Sequence, residues 1–180
     1  PNLNLLGVRE PDIYGRDTLA DIESRCRVFT DAAGLDLDFR QTNHEGEMVD
    51  WFQQARTGAA GIAFNPAAFT YAAYAVLDAI KMVDCPIIEV HISNIHRREA
   101  EWRSRSIMTQ VVTGTVAGLG AQGYELAVRH LIHLHKASIF SQQRNYRRAV
   151  EHYRRALQLA EDGLDERFAE FAALGKKVDH

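Results

Sequence analysis

Residues 61–91 read Gly61-Ile-Ala-Phe-Asn65-Pro-Ala-Ala-Phe-Thr70-Tyr-Ala-Ala-Tyr-Ala75-Val-Leu-Asp-Ala-Ile80-Lys-Met-Val-Asp-Cys85-Pro-Ile-Ile-Glu-Val-His91. Two short apolar runs, Gly61 to Asn65 and Pro86 to His91, bracket a segment in which Ala73, Val76, Leu77, Ile80 and Val83 recur at helical spacing. Short apolar runs suit strands buried on both faces, and a helix between them is what a crossover between parallel strands requires. The stretch reads as strand, helix, strand.

The same alternation extends in both directions. Upstream, Leu19, Ile22, Cys26 and Phe29 mark a helix with Thr18 as its cap and Gly34 as its stop. Leu35, Leu37 and Phe39 alternate as a half-buried strand, and Met48, Phe52 and Ala55 give a helix that opens on Glu45 and Glu47 and ends before Gly58. Downstream come a short charged helix over 97–104, a strand from Val111 to Val116, and a helix from Tyr124 to about His135. This order implies an α/β fold, a flavodoxin-like doubly wound parallel sheet with helices on both faces. Ligands in such sheets bind outside the carboxyl ends of the strands, where Asn65 and His91 fall.

The 180 residues suit one domain with a substantial core, and 46% hydrophobic with 25% charged residues is ordinary globular composition. A formal charge of -3 gives no basic footprint for nucleic acid. No apolar stretch is long enough to span a bilayer and no signal-peptide layout is visible, so the expectation is a cytoplasmic protein without membrane or nucleic-acid partners. Cys26 and Cys85 have neither disulfide nor metal spacing and read as buried free thiols.

Three polar motifs carry chemistry. In Asn2-Leu-Asn-Leu-Leu-Gly-Val-Arg9-Glu-Pro-Asp-Ile-Tyr14-Gly15 an arginine precedes a tyrosine by five residues in a loop. Tyrosine ionises near pH ~10, so it is a base at neutral pH only if phenolate is favoured. A guanidinium about 4 Å away, at an effective dielectric of ~20, contributes roughly 4 kcal/mol before screening. Asn65-Pro66 ends one strand, and Glu89-Val-His91-Ile-Ser93-Asn-Ile-His96 ends the next. His91 is the general-acid candidate, because histidine exchanges a proton near neutrality, and Glu89 is a carboxylate that could orient it. The N–H groups of Ile92 and Ser93, just past a strand, form a natural anion cradle. Each motif alone is more often structural: a turn tyrosine, a plain Asn-Pro turn, a strand-end histidine.

Together, in order and nearly in spacing from Pro1 to about His135, they resemble type II 3-dehydroquinate dehydratase. The resemblance implies a cofactor-free, metal-free hydro-lyase that dehydrates 3-dehydroquinate to 3-dehydroshikimate through an enolate, in aromatic biosynthesis or quinate breakdown. It implies Tyr14 as base, His91 as acid, and Arg9 and Asn2 beside the developing enolate. Asn65, Ile92, Ser93 and Arg103 would hold substrate, with Arg98 as an inner arginine. Asp78 would reach a neighbouring subunit's site, which implies trimers assembled as a dodecamer. The family also begins with an apolar strand ahead of this motif, so a first strand is expected to lie outside the present sequence.

Two departures bear on the substrate. Thr70-Tyr71-Ala72-Ala73 stands where the family usually carries Thr-His-Thr-Ser, putting Tyr71 in the place of a histidine that contacts a ring hydroxyl. After His96 one extra residue precedes Trp102-Arg103, which on a helix would rotate Arg103 by about 100°. Dehydration of a related cyclic polyol acid, or a catalytically silent binding or assembly module, are the alternatives.

Gly118-Leu-Gly120-Ala-Gln-Gly123 matches a dinucleotide fingerprint literally, but no later strand supplies the acidic ribose contact, and close helix–strand packing explains the glycines better. His130, His133 and His135 lack a completing ligand, and no metal is expected. The catalytic domain is expected over 1–137. Residues 138–180 read as a helical C-terminal extension, amphipathic through Tyr146, Ala149, Val150, Tyr153, Ala156, Leu157 and Ala160.

Overall fold

The computed structural model describes residues 1–158. Strands β1 (Ile62–Phe64), β2 (Ile87–His91) and β3 (Gly114–Ala117) form a parallel sheet in that order. Helices α1 (Pro11–Tyr14), α2 (Leu19–Ala33), α3 (Glu45–Ala55), α4 (Tyr74–Ile80) and α5 (Gln122–Gln142) surround it, and residues 146–158 form a further helix, α6. Side chains alternate across a strand, so β2 serves two cores at once. Ile88 and Val90 enter the cluster built with Ile22, Cys26, Tyr124 and Leu131, from α2 and α5. Ile87 enters the other, with Phe52, Val76 and Ile80 from α3 and α4. All five β2 residues are therefore buried, which is why that run is apolar except where it turns polar at Glu89 and His91.

Local signals set several boundaries. The Thr18 hydroxyl accepts the Asp21 N–H at 3.2 Å and the Asp21 carboxylate accepts the Thr18 N–H at 2.9 Å, a reciprocal cap of about 1 kcal/mol. Gly34, at φ +71°, ends the helix.

Three expectations need correction. Leu35, Leu37 and Phe39 belong to a segment without strand pairing: they line, together with β1, a cleft of about 660 Å³, and alternation without a ladder partner does not make a strand. The third strand begins at Gly114 rather than Val111, because the Thr113 hydroxyl accepts the Ile87 N–H at 3.0 Å, where a backbone carbonyl would otherwise serve. Residues 97–104 form no α-helix. Two 3-10 turns, Ile95–Arg97 and Glu101–Arg103, occupy the region, since its charges offer no apolar face to bury.

α5 continues past His135 and runs unbroken through residue 137 to Gln142. Buried Ala137, Ala149 and Ala156 let α6 lie close against it. Ala160, and the rest of 159–180, lie outside the described residues.

The parallel register decides where function can sit. Phe64 pairs with Glu89 and His91 with Ala117, so the carboxyl ends of all three strands open on one rim.

Candidate active site

Glu89 and His91 are two residues apart on β2 and hence on one face. Their burial is nearly complete, at 0% and 4% exposure, and His91 Nε2 lies 2.6 Å from Glu89 Oε1. A carboxylate only accepts, so Nε2 carries the hydrogen and Nδ1 is left as the atom able to exchange a proton with a ligand. Enclosing a charge without partners would cost several kcal/mol. Glu89 has two more donors, the hydroxyls of Ser106 at 2.6 Å and Thr109 at 3.3 Å.

Asn65 follows β1 and closes an Asx turn, its Oδ1 accepting the Ala67 N–H at 2.9 Å while Nδ2 donates to the Tyr124 hydroxyl at 3.0 Å. Burial pushes the Tyr124 phenol well above its ordinary pKa, so it stays protonated and its oxygen serves as the acceptor that orients Asn65. Past β2, the Gly118 N–H donates to the His91 carbonyl at 2.9 Å and the Gly120 N–H to the Ile92 carbonyl at 3.0 Å. A Cβ at Gly118 would stand 2.9 Å from Asn94 Cβ, so this glycine run serves the close approach of two backbones.

Arg98 is the guanidinium that the fold brings to this rim. Nη2 donates to the Ser93 hydroxyl at 3.3 Å and Nη1 donates to the Tyr71 hydroxyl. Tyr71 in turn meets Trp102 edge to face, with centroids 5.4 Å apart. Arg103, expected to hold substrate, stacks over the neighbouring Trp102 ring and is exposed. The extra residue preceding it lies in an irregular stretch between 3-10 turns, so helical rotation does not govern its direction.

In the N-terminal loop Tyr14 packs against the cluster that holds Leu6, Val90 and Ile92. The Arg9 guanidinium lies 5.5 Å from the Tyr14 ring centroid and also pairs with Glu10 at 3.0 Å. Arg9 thus reaches Tyr14, with part of its charge already engaged. Asn2 is exposed, with a left-handed backbone and its N–H on Asn43 Oδ1 at 2.7 Å. Asp78 is exposed on α4 and pairs with Lys81. The 660 Å³ cleft touches this rim at Asn65, and Tyr14, His91 and Ser93 are not in its lining.

Ser106, Thr109 and Tyr124 escaped the sequence reading. They lie 17, 20 and 59 residues from the side chains they touch, so no local spacing could announce them. Among the described residues no group of three His, Cys, Asp or Glu side chains could hold a metal ion, and no helix is long and apolar enough to cross a membrane.

A parallel α/β sheet here carries a buried carboxylate–imidazole pair, an oriented amide and an arginine on one strand-end rim, groups that an α/β enzyme can use. The model of the class II dehydroquinases matches residues 1–132, and the chain belongs to that family of hydro-lyases. It is 52% identical over 138 residues, 77% of this chain and 93% of the relative, to 3-dehydroquinate dehydratase 2 of Agrobacterium fabrum. It is 50% identical over 130 residues, 72% of this chain and 87% of the relative, to 3-dehydroquinate dehydratase 2 of Pseudomonas aeruginosa. The crystal structure of type II dehydroquinase from Propionibacterium acnes superposes with a TM-score of 0.69 at 45% identity, covering 73% of this chain and 90% of that one.

Proposed function

We propose that this protein removes water from 3-dehydroquinate to give 3-dehydroshikimate, with Tyr14 as base and His91 as acid. The buried Glu89–His91 pair carries the reading, since an imidazole whose Nε2–H is fixed on a carboxylate is oriented to deliver a proton from its other nitrogen. Tyr14 takes the proton alpha to the ketone, and the C–H electrons form an enolate. The enolate collapses, the C–O bond breaks, and His91 protonates the departing hydroxyl as water. Arg9 and Asn2 favour the negative charge that develops only along this path. Asn65, Ile92, Ser93 and Arg103 are the substrate-holding groups of this reading, with Arg98 as an inner arginine and Asp78 the contact to a neighbouring copy in a cytoplasmic trimer-based dodecamer.

The test is direct: incubate the protein with 3-dehydroquinate and follow the conjugated enone by ultraviolet absorbance. Absence of product removes the assignment. A second reading, a related cyclic polyol acid as substrate, is favoured by the Tyr71–Arg98 hydrogen bond, because this phenol occupies an arginine that a ring hydroxyl or carboxylate could otherwise use. Poor kcat/KM on 3-dehydroquinate that improves in Tyr71→His would select it.

A further inference from the structure

We infer that Ser106 is a positioning residue for His91, acting through Glu89; this rests on the proposed role of His91 as acid. Glu89 Oε1 is shared by two donors at the same distance, His91 Nε2 and Ser106 Oγ, both at 2.6 Å. A hydroxyl has one proton to give, and its direction here is fixed from behind. The Met108 N–H donates to Ser106 Oγ at 3.0 Å, which occupies a lone pair and turns the hydroxyl proton toward Glu89.

The segment that holds Ser106 is itself anchored. Met108 is fully buried and the Ile107 N–H donates to the Thr70 carbonyl at 3.0 Å. The chain Met108 N–H, Ser106 Oγ, Glu89 Oε1, His91 Nε2 therefore runs from a core-anchored turn to the acid.

Two consequences follow. A second donor stops the Glu89 carboxylate from rotating, which fixes the imidazole plane and the aim of Nδ1. It also draws electron density from Oε1, which weakens that oxygen's hydrogen bond to the imidazole N–H. Ser106 reaches His91 only through Glu89, so its loss affects turnover rather than substrate binding. Thr109, at 3.3 Å on the other oxygen, contributes less to the same end.

The test measures kcat and KM across pH for the wild type, Ser106→Ala, Ser106→Thr and Ser106→Cys, alongside the 15N shifts of the His91 imidazole. Losing one hydrogen bond to a charged group lowers kcat of Ser106→Ala roughly tenfold to a hundredfold, with KM little changed, the alkaline limb displaced, and the His91 15N shifts moved. Threonine keeps the hydroxyl and restores the rate. Cysteine keeps the shape with a weak donor, falls between, and serves if the alanine variant does not fold. A folded Ser106→Ala or Ser106→Cys with wild-type kcat profile and wild-type His91 shifts overturns the inference, as does failure of threonine to restore either. If the wild type does not turn over 3-dehydroquinate, the functional assignment fails, and the 15N shifts still decide whether Ser106 sets the state of His91.

Discussion

Glu89 and His91 sit on a strand buried from both sides, 0% and 4% exposed, and the surrounding hydroxyls and backbone bonds leave them little freedom. Fifteen residues at the start of the chain are built differently. Val8 and Ile13 are 82% and 56% exposed, α1 is a single turn, and Gly7 and Gly15 take positive φ at +86° and +82°. Burial and cross-linked hydrogen bonds raise the free energy of local opening, whereas exposed turns with few apolar contacts open cheaply. His91, the acid of the proposed reaction, is thus positioned by the folding of the sheet. Tyr14, the base of the proposed reaction, stands instead on a glycine-flanked loop with few apolar contacts.

The largest effect that would break this comparison belongs to the loop. Tyr14→Phe is expected to lower kcat by about a thousandfold or more with KM nearly unchanged, because only the proton acceptor is removed. Steady-state kinetics on 3-dehydroquinate decide it, and near-normal turnover takes Tyr14 out of the chemistry.

Stability should divide the two regions in the opposite sense. Gly118→Ala meets positive φ, costing about 1–2 kcal/mol, and a Cβ 2.9 Å from Asn94 that adds roughly 1–3 kcal/mol of overpacking. Gly15→Ala meets φ +82° and ψ -176°, a region close to glycine-only that costs about 1–3 kcal/mol, but nothing lies within 4 Å, so no overpacking is added. Urea titration of both variants measures the difference. Equal losses would mean that the strand-end rim is no more tightly built than the loop.

The smallest effect concerns the far end of the chain. His133 Nδ1 lies 3.0 Å from His152 Nδ1 across α5 and α6. Burial first, then His152 and the cations Arg155, Lys136 and Arg129, hold the His133 pKa below its ordinary value. The unfolded chain then binds more protons than the folded one just below pH ~6.5. The stabilisation is therefore present above that pH and is lost as pH falls through it. Hydrogen exchange of the 146–158 amides, corrected for intrinsic rates, should quicken at pH 5.5 relative to 7.5, and His133→Asn should flatten the response. Exchange that ignores pH in the unmodified protein would remove His133 as a source of pH-dependent stability.

The alternation of apolar runs told the strands from the helices where each element answers to its own neighbours: Thr18 and Gly34 bound α2, and the all-apolar approach to His91 announces a doubly buried strand. The same reasoning failed where pairing was the deciding term. Leu35, Leu37 and Phe39 have a strand's alternation, yet a strand exists only where a partner backbone completes its hydrogen bonds, and no local pattern reports the partner.

The candidate site divides in the same way. Residue types and short spacings picked out Tyr14, Asn65, His91 and Ser93 as candidates, because a loop or a strand end carries its polar groups together, and the family resemblance supplied their expected roles. The directions of the two arginines were decided by the path of the chain between two 3-10 turns, which turned Arg98 toward Ser93 and Tyr71 and laid Arg103 over Trp102. What holds Glu89 was decided by a turn 17 residues further on. Sequence by itself determined most helices, the strands leading to Asn65 and His91 and the kinds of chemistry available, since propensity and periodicity act between near neighbours. The tertiary structure alone chose the partners of buried polar groups, because those are settled by which distant segments the two cores press together.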